Sequence, residues 1–305
     1  MKTAFDRILV GVDGSEPSLQ AIRLAVRLAR EHHGRVILCH AVDWLTIVAQ
    51  TASASGGLDV EPIIGELRQL GRDLIASAAA TARAAGVEVD EQLLEGKALE
   101  CLLCAARDRA ATMYVLGTRG NGPIGRAFLG STTDAVLRQA TIPVLTVRGD
   151  TMTRPETRRT FGRLLVGIDD GAPAQAALRF ALDLPAEDRA EILIYGVDSS
   201  GDEPGLERAE HIVEHAVITA NARDTVAHGH TLEGSPGEEL VAAAKDEAVD
   251  AIVVGSHGRK GLQRLILGSV AEYVVRMATV PVLVVRESAA VASAIPPRVR
   301  AGSIV

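Results

Sequence analysis

The sequence predicts an α/β protein built from two tandem, open, doubly wound parallel sheets, and three observations predict it. First, the chain is written twice: Ile8-Leu9-Val10-Gly11-Val12-Asp13 returns as Leu164-Leu165-Val166-Gly167-Ile168-Asp169, and Tyr114-Val115-Leu116-Gly117 returns as Ile252-Val253-Val254-Gly255. Second, each copy carries short, unalternating runs of Val, Ile and Leu, as strands do when helices cover both faces of their sheet. Third, these runs alternate strictly with longer segments of helical period, which makes right-handed βαβ units.

In chain order the first copy reads as strands near Ile8 to Val12, Val36 to Ala41, Val87 to Leu94, Met113 to Gly117 and Val144 to Val147. Between them fall helices near Pro17 to Glu31, Pro62 to Ala85, Leu99 to Arg109 and Ser131 to Gln139. The second copy repeats the landmarks: Val36-Ile37-Leu38 as Ile192-Leu193-Ile194, Leu94-Glu95-Gly96 as Leu232-Glu233-Gly234, and Pro143 to Arg148 as Pro281 to Arg286. Gly11 and Gly167 lie 156 positions apart but Gly117 and Gly255 only 138, so the second copy lacks a loop that the first carries at Asp43 to Glu61. The expected division is a first domain over 1–149, a linker over 150–160 that contains Pro155, a second domain over 161–287, and a disordered tail over 288–305.

The closing strand of each copy follows a proline, as an edge strand permits, yet is apolar enough to aggregate if left bare. The expectation is therefore that the two copies pair through it as an intrachain pseudo-dimer, and that two chains form a homodimer.

Composition narrows the function. The 305 residues carry a formal charge of -7, with the acidic excess in the second half, and no basic stripe that would neutralise nucleic-acid phosphates. Aromatic residues make up 3%, too few for a base-stacking surface. Met1 to Asp6 lacks an apolar signal core, and no apolar run approaches the roughly 20 residues of a membrane span, so the expected compartment is the cytoplasm. Three cysteines make no disulfide framework, in keeping with a reducing compartment.

Ligands of open α/β sheets bind outside the carboxyl ends of the strands, at the point where the strand order reverses. There the fourth strand runs into Gly117-Thr118-Arg119-Gly120, nine residues, and Gly130-Ser131-Thr132 at a helix start; the second copy has Gly255-Ser256-His257-Gly258, nine residues, and Gly268-Ser269-Val270. Glycine allows close backbone approach, and free N–H groups at a helix start attract anions, so a phosphate chain fits. Ser131, Thr132 and Ser269 would either cap the helix or donate to a phosphate oxygen. Arg126 and Arg264 hold matching places, reaching a phosphate or forming a surface ion pair. Asp13 and Asp169 end the first strand of each copy, where a carboxylate either forms an Asx turn or meets ribose hydroxyls or a phosphate-bound Mg²⁺; no further side-chain metal ligand is expected.

These motifs, with the Val12 to Ser15 turn and the closing segments Pro143 to Arg148 and Pro281 to Arg286, resemble the universal stress proteins in their tandem, ATP-binding form, over nearly all of residues 4 to 286. The resemblance implies a five-stranded Rossmann-like sheet of order 3-2-1-4-5, like that of the adenine nucleotide alpha hydrolases, in each copy. It implies ATP, with Mg²⁺, across the strand ends: adenine against backbone at Ala41 and Gly196, beside Val12 and Ile168. Ribose and phosphates would meet Asp13, Gly117, Arg119, Gly120, Gly130, Ser131 and Thr132, or Asp169, Gly255, His257, Gly258, Gly268, Ser269 and Val270. The second copy departs by placing Gly171 and Ala174 where the first has Ser15 and Ser18, which removes two hydroxyls from that mouth.

The expected function is a nucleotide-dependent regulator of stress or growth state that is read by a protein partner, not a committed enzyme. Its alternatives are a slow ATP hydrolase or nucleotidyl transferase in the same pockets, or a structural dimer module with empty sites. His257 is the one candidate base on a loop. Other motifs read as bland: His211-x-x-Glu214-His215 as a solvated helix face, Cys101-x-x-Cys104 as small buried hydrophobes, His228 and His230 as strand residues lacking metal partners. Trp44 reads as loop packing or a ring over the base, and the 43–61 loop as a possible lid.

Overall fold

A run such as Ile8-Leu9-Val10 offers water no polar face, and all three side chains are fully buried at the centre of a sheet. The computed structural model describes residues 3–44, 61–118, 129–149, 159–184, 191–257 and 267–287. The first half runs β1 (Arg7–Gly11), α1 (Glu16–Glu31), β2 (Arg35–Val42), α2 (Glu61–Ala84), β3 (Glu88–Glu95), α3 (Ala98–Asp108), β4 (Met113–Thr118), α4 (Ser131–Gln139) and β5 (Val144–Arg148). The second half repeats it as β6 (Arg163–Ile168), α5 (Ala172–Asp183), β7 (Glu191–Asp198), α6 (Glu203–Asn221), β8 (Ala227–Glu233), α7 (Pro236–Asp246), β9 (Ala251–Gly255), α8 (Ser269–Met277) and β10 (Val282–Val285). The 43–61 loop beyond Trp44, most of the linker and the tail from residue 288 lie outside the described residues.

Within each half the strands are parallel in the order 3-2-1-4-5, so the order reverses between β1 and β4, and again between β6 and β9. The halves join into one ten-stranded sheet because β5 and β10 pair antiparallel, Leu145 opposite Leu283 and Thr146 opposite Val282. The Thr146 hydroxyl also donates to the Val282 carbonyl, at 3.1 Å. This is the expected intrachain pairing. It leaves β5 between β4 and β10, and β10 between β5 and β9, so a second copy of the chain has no free edge there. The outer edges are β3 and β8.

Two apolar layers sandwich the sheet, and each runs through both halves. Helices α1, α2, α5 and α6 close one face over Ile8, Val10, Leu145, Val166 and Leu283. Helices α3, α4, α7 and α8 close the other over Leu9, Tyr114, Val144, Leu165 and Val284. At the amino ends of the strands Phe5 meets its repeat counterpart Phe161, ring centroids 5.9 Å apart, and Glu31 of α1 accepts hydrogen bonds from the Thr160 amide (3.3 Å) and hydroxyl (2.8 Å). Among the described residues no helix is long and apolar enough to cross a membrane.

Since Leu145 is fully buried at the seam, Leu145→Ala should cost about 2–5 kcal/mol. Urea denaturation followed by Trp44 fluorescence, which reports on the first half, and by circular dichroism, which reports on both, should show both transitions shifted together. A shift confined to the fluorescence would contradict a core shared across the seam.

Candidate functional site

The strand-order reversal in the second half opens a cleft of about 860 Å³, within the size range of small-ligand sites. Its floor is apolar, from Tyr195, Leu240, Val254 and Leu267. One wall is the end of β6, Gly167 to Asp169; the opposite wall is His257 with the start of α8, Gly268 to Ala271. Asp198, Ser200, Asp202 and Arg208 form the remaining rim.

The helix starts are the chemically open feature. Gly268 is the N-cap of α8 and Gly130 the N-cap of α4, both in extended conformation, and neither receives a side-chain cap. Ser131 and Ser269 therefore stand one position inside the helix, and the capping role considered for them is not taken up. An α-helix leaves its first amides without an internal partner, and these carry the positive end of the macrodipole. The end of β9 and the start of α8 are held together: the Gly268 amide donates to the Ser256 carbonyl and the Ser256 amide to the Val285 carbonyl, both at 2.8 Å. In the first half the Thr133 hydroxyl donates to the Gly117 carbonyl at 2.8 Å, tying α4 to the end of β4; sequence reasoning missed this residue.

Gly117 and Gly255 have a different reason from the one expected. A Cβ on Gly117 would lie 2.5 Å from the Pro17 carbonyl carbon, and one on Gly255 2.6 Å from that of Pro173. The close approach that demands glycine is thus made by the start of α1 or α5, not by a ligand.

The strand-end aspartates stand at matching turns after β1 and β6. Asp13 accepts from the Ser15 amide (2.9 Å) and hydroxyl (2.6 Å), and Asp169 from the Gly171 amide (2.9 Å), so each forms the Asx turn considered for it. Asp169 lines the cleft as well. The Ser15 hydroxyl accepts from the Ser18 amide, and the Ser18 hydroxyl donates to Gly11. Both hydroxyls build the helix start, so their loss in the second copy removes capping there. Val12 already has its amide on Cys39 and its carbonyl on His40 Nδ1, while Ile168 lines the cleft.

The strand register gives Ala41 a counterpart one residue from the expected one. Ala41 pairs with Leu94, and its counterpart opposite Leu232 is Val197, not Gly196. Val197 lines the cleft, whereas a Cβ on Gly196 would meet Val213 and Ala209 of α6. The period-two alternation of a strand sends neighbouring residues to opposite faces. Gly255, His257, Gly268, Ser269 and Val270 come together as expected. Gly130, Ser131 and Thr132 stand equivalently at α4. Arg119, Gly120, Gly258, Arg126 and Arg264 lie outside the described residues.

Electrostatics at the rim follow from local hydrogen bonds. The Ser200 side chain and amide, with the Gly201 amide, hold the Asp198 carboxyl below its usual range. His257 Nδ1 is 2.9 Å from the Ser256 hydroxyl, which orients the ring at the wall. Arg208, on α6, is a lining cation that no motif announced.

The other motifs resolve structurally. His211, Glu214 and His215 are exposed; the two histidines border a shallow hollow of about 520 Å³ with Asp170 and Glu207. Among the described residues no group of three or more His, Cys, Asp and Glu could hold a metal. Cys101 is buried but Cys104 is exposed, correcting the expectation that both are core, because the buried stripe of α3 runs through Cys101, Leu102, Ala105 and Ala106. Burial pushes the Cys39 thiol up to about 12. His230 stacks on Tyr195 at 4.7 Å, and His228 lies 3.5 Å from Glu191. The Trp44 indole donates to Glu95 at 3.1 Å.

The universal stress protein family model matches residues 4–148 and again 160–286. A universal stress protein of Mycolicibacterium smegmatis is 29% identical over 92% of this chain and 96% of its own, and one of Mycobacterium tuberculosis is 27% identical over the same shares. A crystal structure of a universal stress protein from Archaeoglobus fulgidus superposes with a TM-score of 0.70 at 21% identity, covering 92% of this chain and 96% of that one, and so shares the fold.

Because their Cβ atoms would strike backbone, Gly117→Ala and Gly255→Ala should each lower stability by about 1–3 kcal/mol without any ligand present. Thermal unfolding of the ligand-free protein checks this. Unchanged midpoints would return these glycines to a ligand-approach role.

Proposed function

The chain belongs to the universal stress protein family, and from that premise we propose that it binds an adenine nucleotide, ATP with Mg²⁺, in each half and acts as a nucleotide-dependent regulator of stress or growth state. The observation that carries the reading is the pair of nine-residue helices α4 and α8, each opened by a glycine with no side-chain cap. Asp169 lines the same cleft as the start of α8, and Asp13 is its repeat counterpart.

The fit is chemical. Anions at a helix start are stabilised by about 0.3–1 kcal/mol when exposed, and up to about 2 kcal/mol when partly buried. The amides of Ser269 and Val270 would take phosphate oxygens, with Ser131 and Thr132 as their counterparts in the first half. His257 adds a nitrogen-bearing ring to the same wall, and Asp169 suits ribose hydroxyls. The apolar floor of Tyr195 and Leu240, with Val197 at the strand end, suits a base. Mg²⁺ binds through substrate phosphates and one or two carboxylates and keeps several waters, so Asp169 at the strand end suits it while Asp198 and Asp202 are engaged by Ser200, Gly201 and Gly205.

In this reading residues 1–149 and 161–287 are two nucleotide-binding units joined by 150–160, and a protein partner reads their occupancy. A second reading, slow hydrolysis in the second cleft, draws support from the ring of His257 oriented by Ser256 at the cleft wall. It predicts weak turnover that His257→Ala abolishes while binding persists.

Denaturing gently purified protein should release an adenine nucleotide, and calorimetry with ATP and Mg²⁺ should show binding that Ser269→Asp weakens at least about tenfold in one of two sites, through like charge against phosphate. Absence of released nucleotide together with no heat of binding would leave the structural-module alternative.

A further inference from the structure

Each phosphate-facing helix is gripped at its far end by an arginine from the opposite half. Arg286, immediately after β10, donates through Nη2 to the Leu137 carbonyl at 2.9 Å and to the Arg138 carbonyl, both in the last turn of α4. Arg148, the last residue of β5, donates through Nη1 to the Arg276 carbonyl of α8 at 2.6 Å. These carbonyls are among the orphan acceptors of a helix C-terminus, and a cation there also complements the macrodipole.

The arginines are anchored to their own halves. Arg286 follows Val285, whose carbonyl receives the Ser256 amide, and the Ser256 carbonyl in turn receives the Gly268 amide at the second cleft. Arg148 follows Val147, whose carbonyl receives the Thr118 hydroxyl at 3.4 Å, at the end of β4 in the first half. The side chain of each reaches across the seam, while the carbonyl of the residue before it holds the strand-end segment of its own half.

Helices of nine residues are marginal alone and span only about 13 Å, so the tether at one end fixes where the amides at the other end lie. Buried contacts are few: Thr133, Val136 and Leu137 on α4, and Ala271, Val274 and Val275 on α8. One ion pair links the two helices, Arg138 to Glu272 at 3.7 Å, while Arg138–Asp134 and Arg276–Glu272 lie within their own helices; all are about one third exposed and contribute little. Arg148 is 6% exposed, and desolvation lowers the pKa of Arg286.

We propose that Arg286 is the positioning residue for the phosphate cradle of the first cleft and Arg148 for that of the second, so that neither half completes its site without the other. The proposal rests on the nucleotide reading above. Its signature is crossed. An arginine acting only through its own half, or only through overall stability, cannot produce that pattern.

The test uses full-length protein with ATP and Mg²⁺ as the probe. In a Ser269→Asp background the first cleft alone titrates; there Arg286→Ala should weaken binding about tenfold and Arg148→Ala by less than about twofold. In a Ser131→Asp background the two effects should exchange. Arg286→Lys and Arg148→Lys, which keep charge but lose the guanidinium fork, should show the same crossed pattern at smaller size and serve if the alanine variants do not fold. Equal losses at both clefts, losses in the arginine's own half, or no loss would overturn the proposal. If the unmodified chain binds no ATP, the nucleotide reading falls and takes the positioning role with it; if it binds and the crossed pattern is missing, the positioning role falls alone.

Discussion

A helix cannot satisfy its own first amides, and this constraint organises the molecule. In α4 and α8 a glycine occupies the cap position, where Ser, Thr, Asp or Asn would supply an acceptor. Two other starts are capped by side chains: Ser15 accepts from the Ser18 amide at α1, and Asp202 from the Gly205 amide at α6. The starts of α3, α5 and α7 are uncapped as well, but those of α4 and α8 directly follow the strands at which the sheet order reverses, and there an external anion can do what the side chains do not.

The same helices also explain why the chain is a tandem. Antiparallel pairing of β5 with β10 removes both apolar edges and lets each core layer continue through the seam. It brings the last turn of α4 to Arg286 and that of α8 to Arg148. Fusion of the copies thus fixes a contact that two separate chains would hold only at sufficient concentration.

Much of the fold was legible because burial on both faces leaves an unmistakable imprint: β1, β4, β6 and β9 each carry an unbroken apolar run ending at a glycine, and the repeat exposes their order twice. Strand ends were less legible. Glu88–Glu95, an edge strand with a mixed burial pattern, begins one residue later than its apolar content suggests. The equivalence of Gly196 with Ala41 is one residue out, because a period of two makes a single slip change the face, and only the pairing with β8 fixes the counterpart as Val197. Gly117 and Gly255 were rightly singled out for close approach, but sequence does not say what approaches; their neighbours at Pro17 and Pro173 are more than 80 positions away in the chain. Thr133 and Arg208 carry no motif, since a lone hydroxyl or guanidinium gains its meaning only from the partner that folding brings to it.

The two halves are not equivalent mouths. Ser15 and Ser18 secure the first turn of α1, whereas α5 starts from Gly171 without a side-chain cap. The second cleft is instead rimmed by the Asp198 to Asp202 turn, whose carboxylates are spent on Ser200, Gly201 and Gly205. The most direct measurement of the central claim is a crystal structure grown with ATP and Mg²⁺. The account predicts phosphate oxygens at hydrogen-bonding distance, about 3 Å, from the backbone amides of Ser269 and Val270. Phosphates seated elsewhere, with those amides turned onto acceptors of the chain itself, would contradict it.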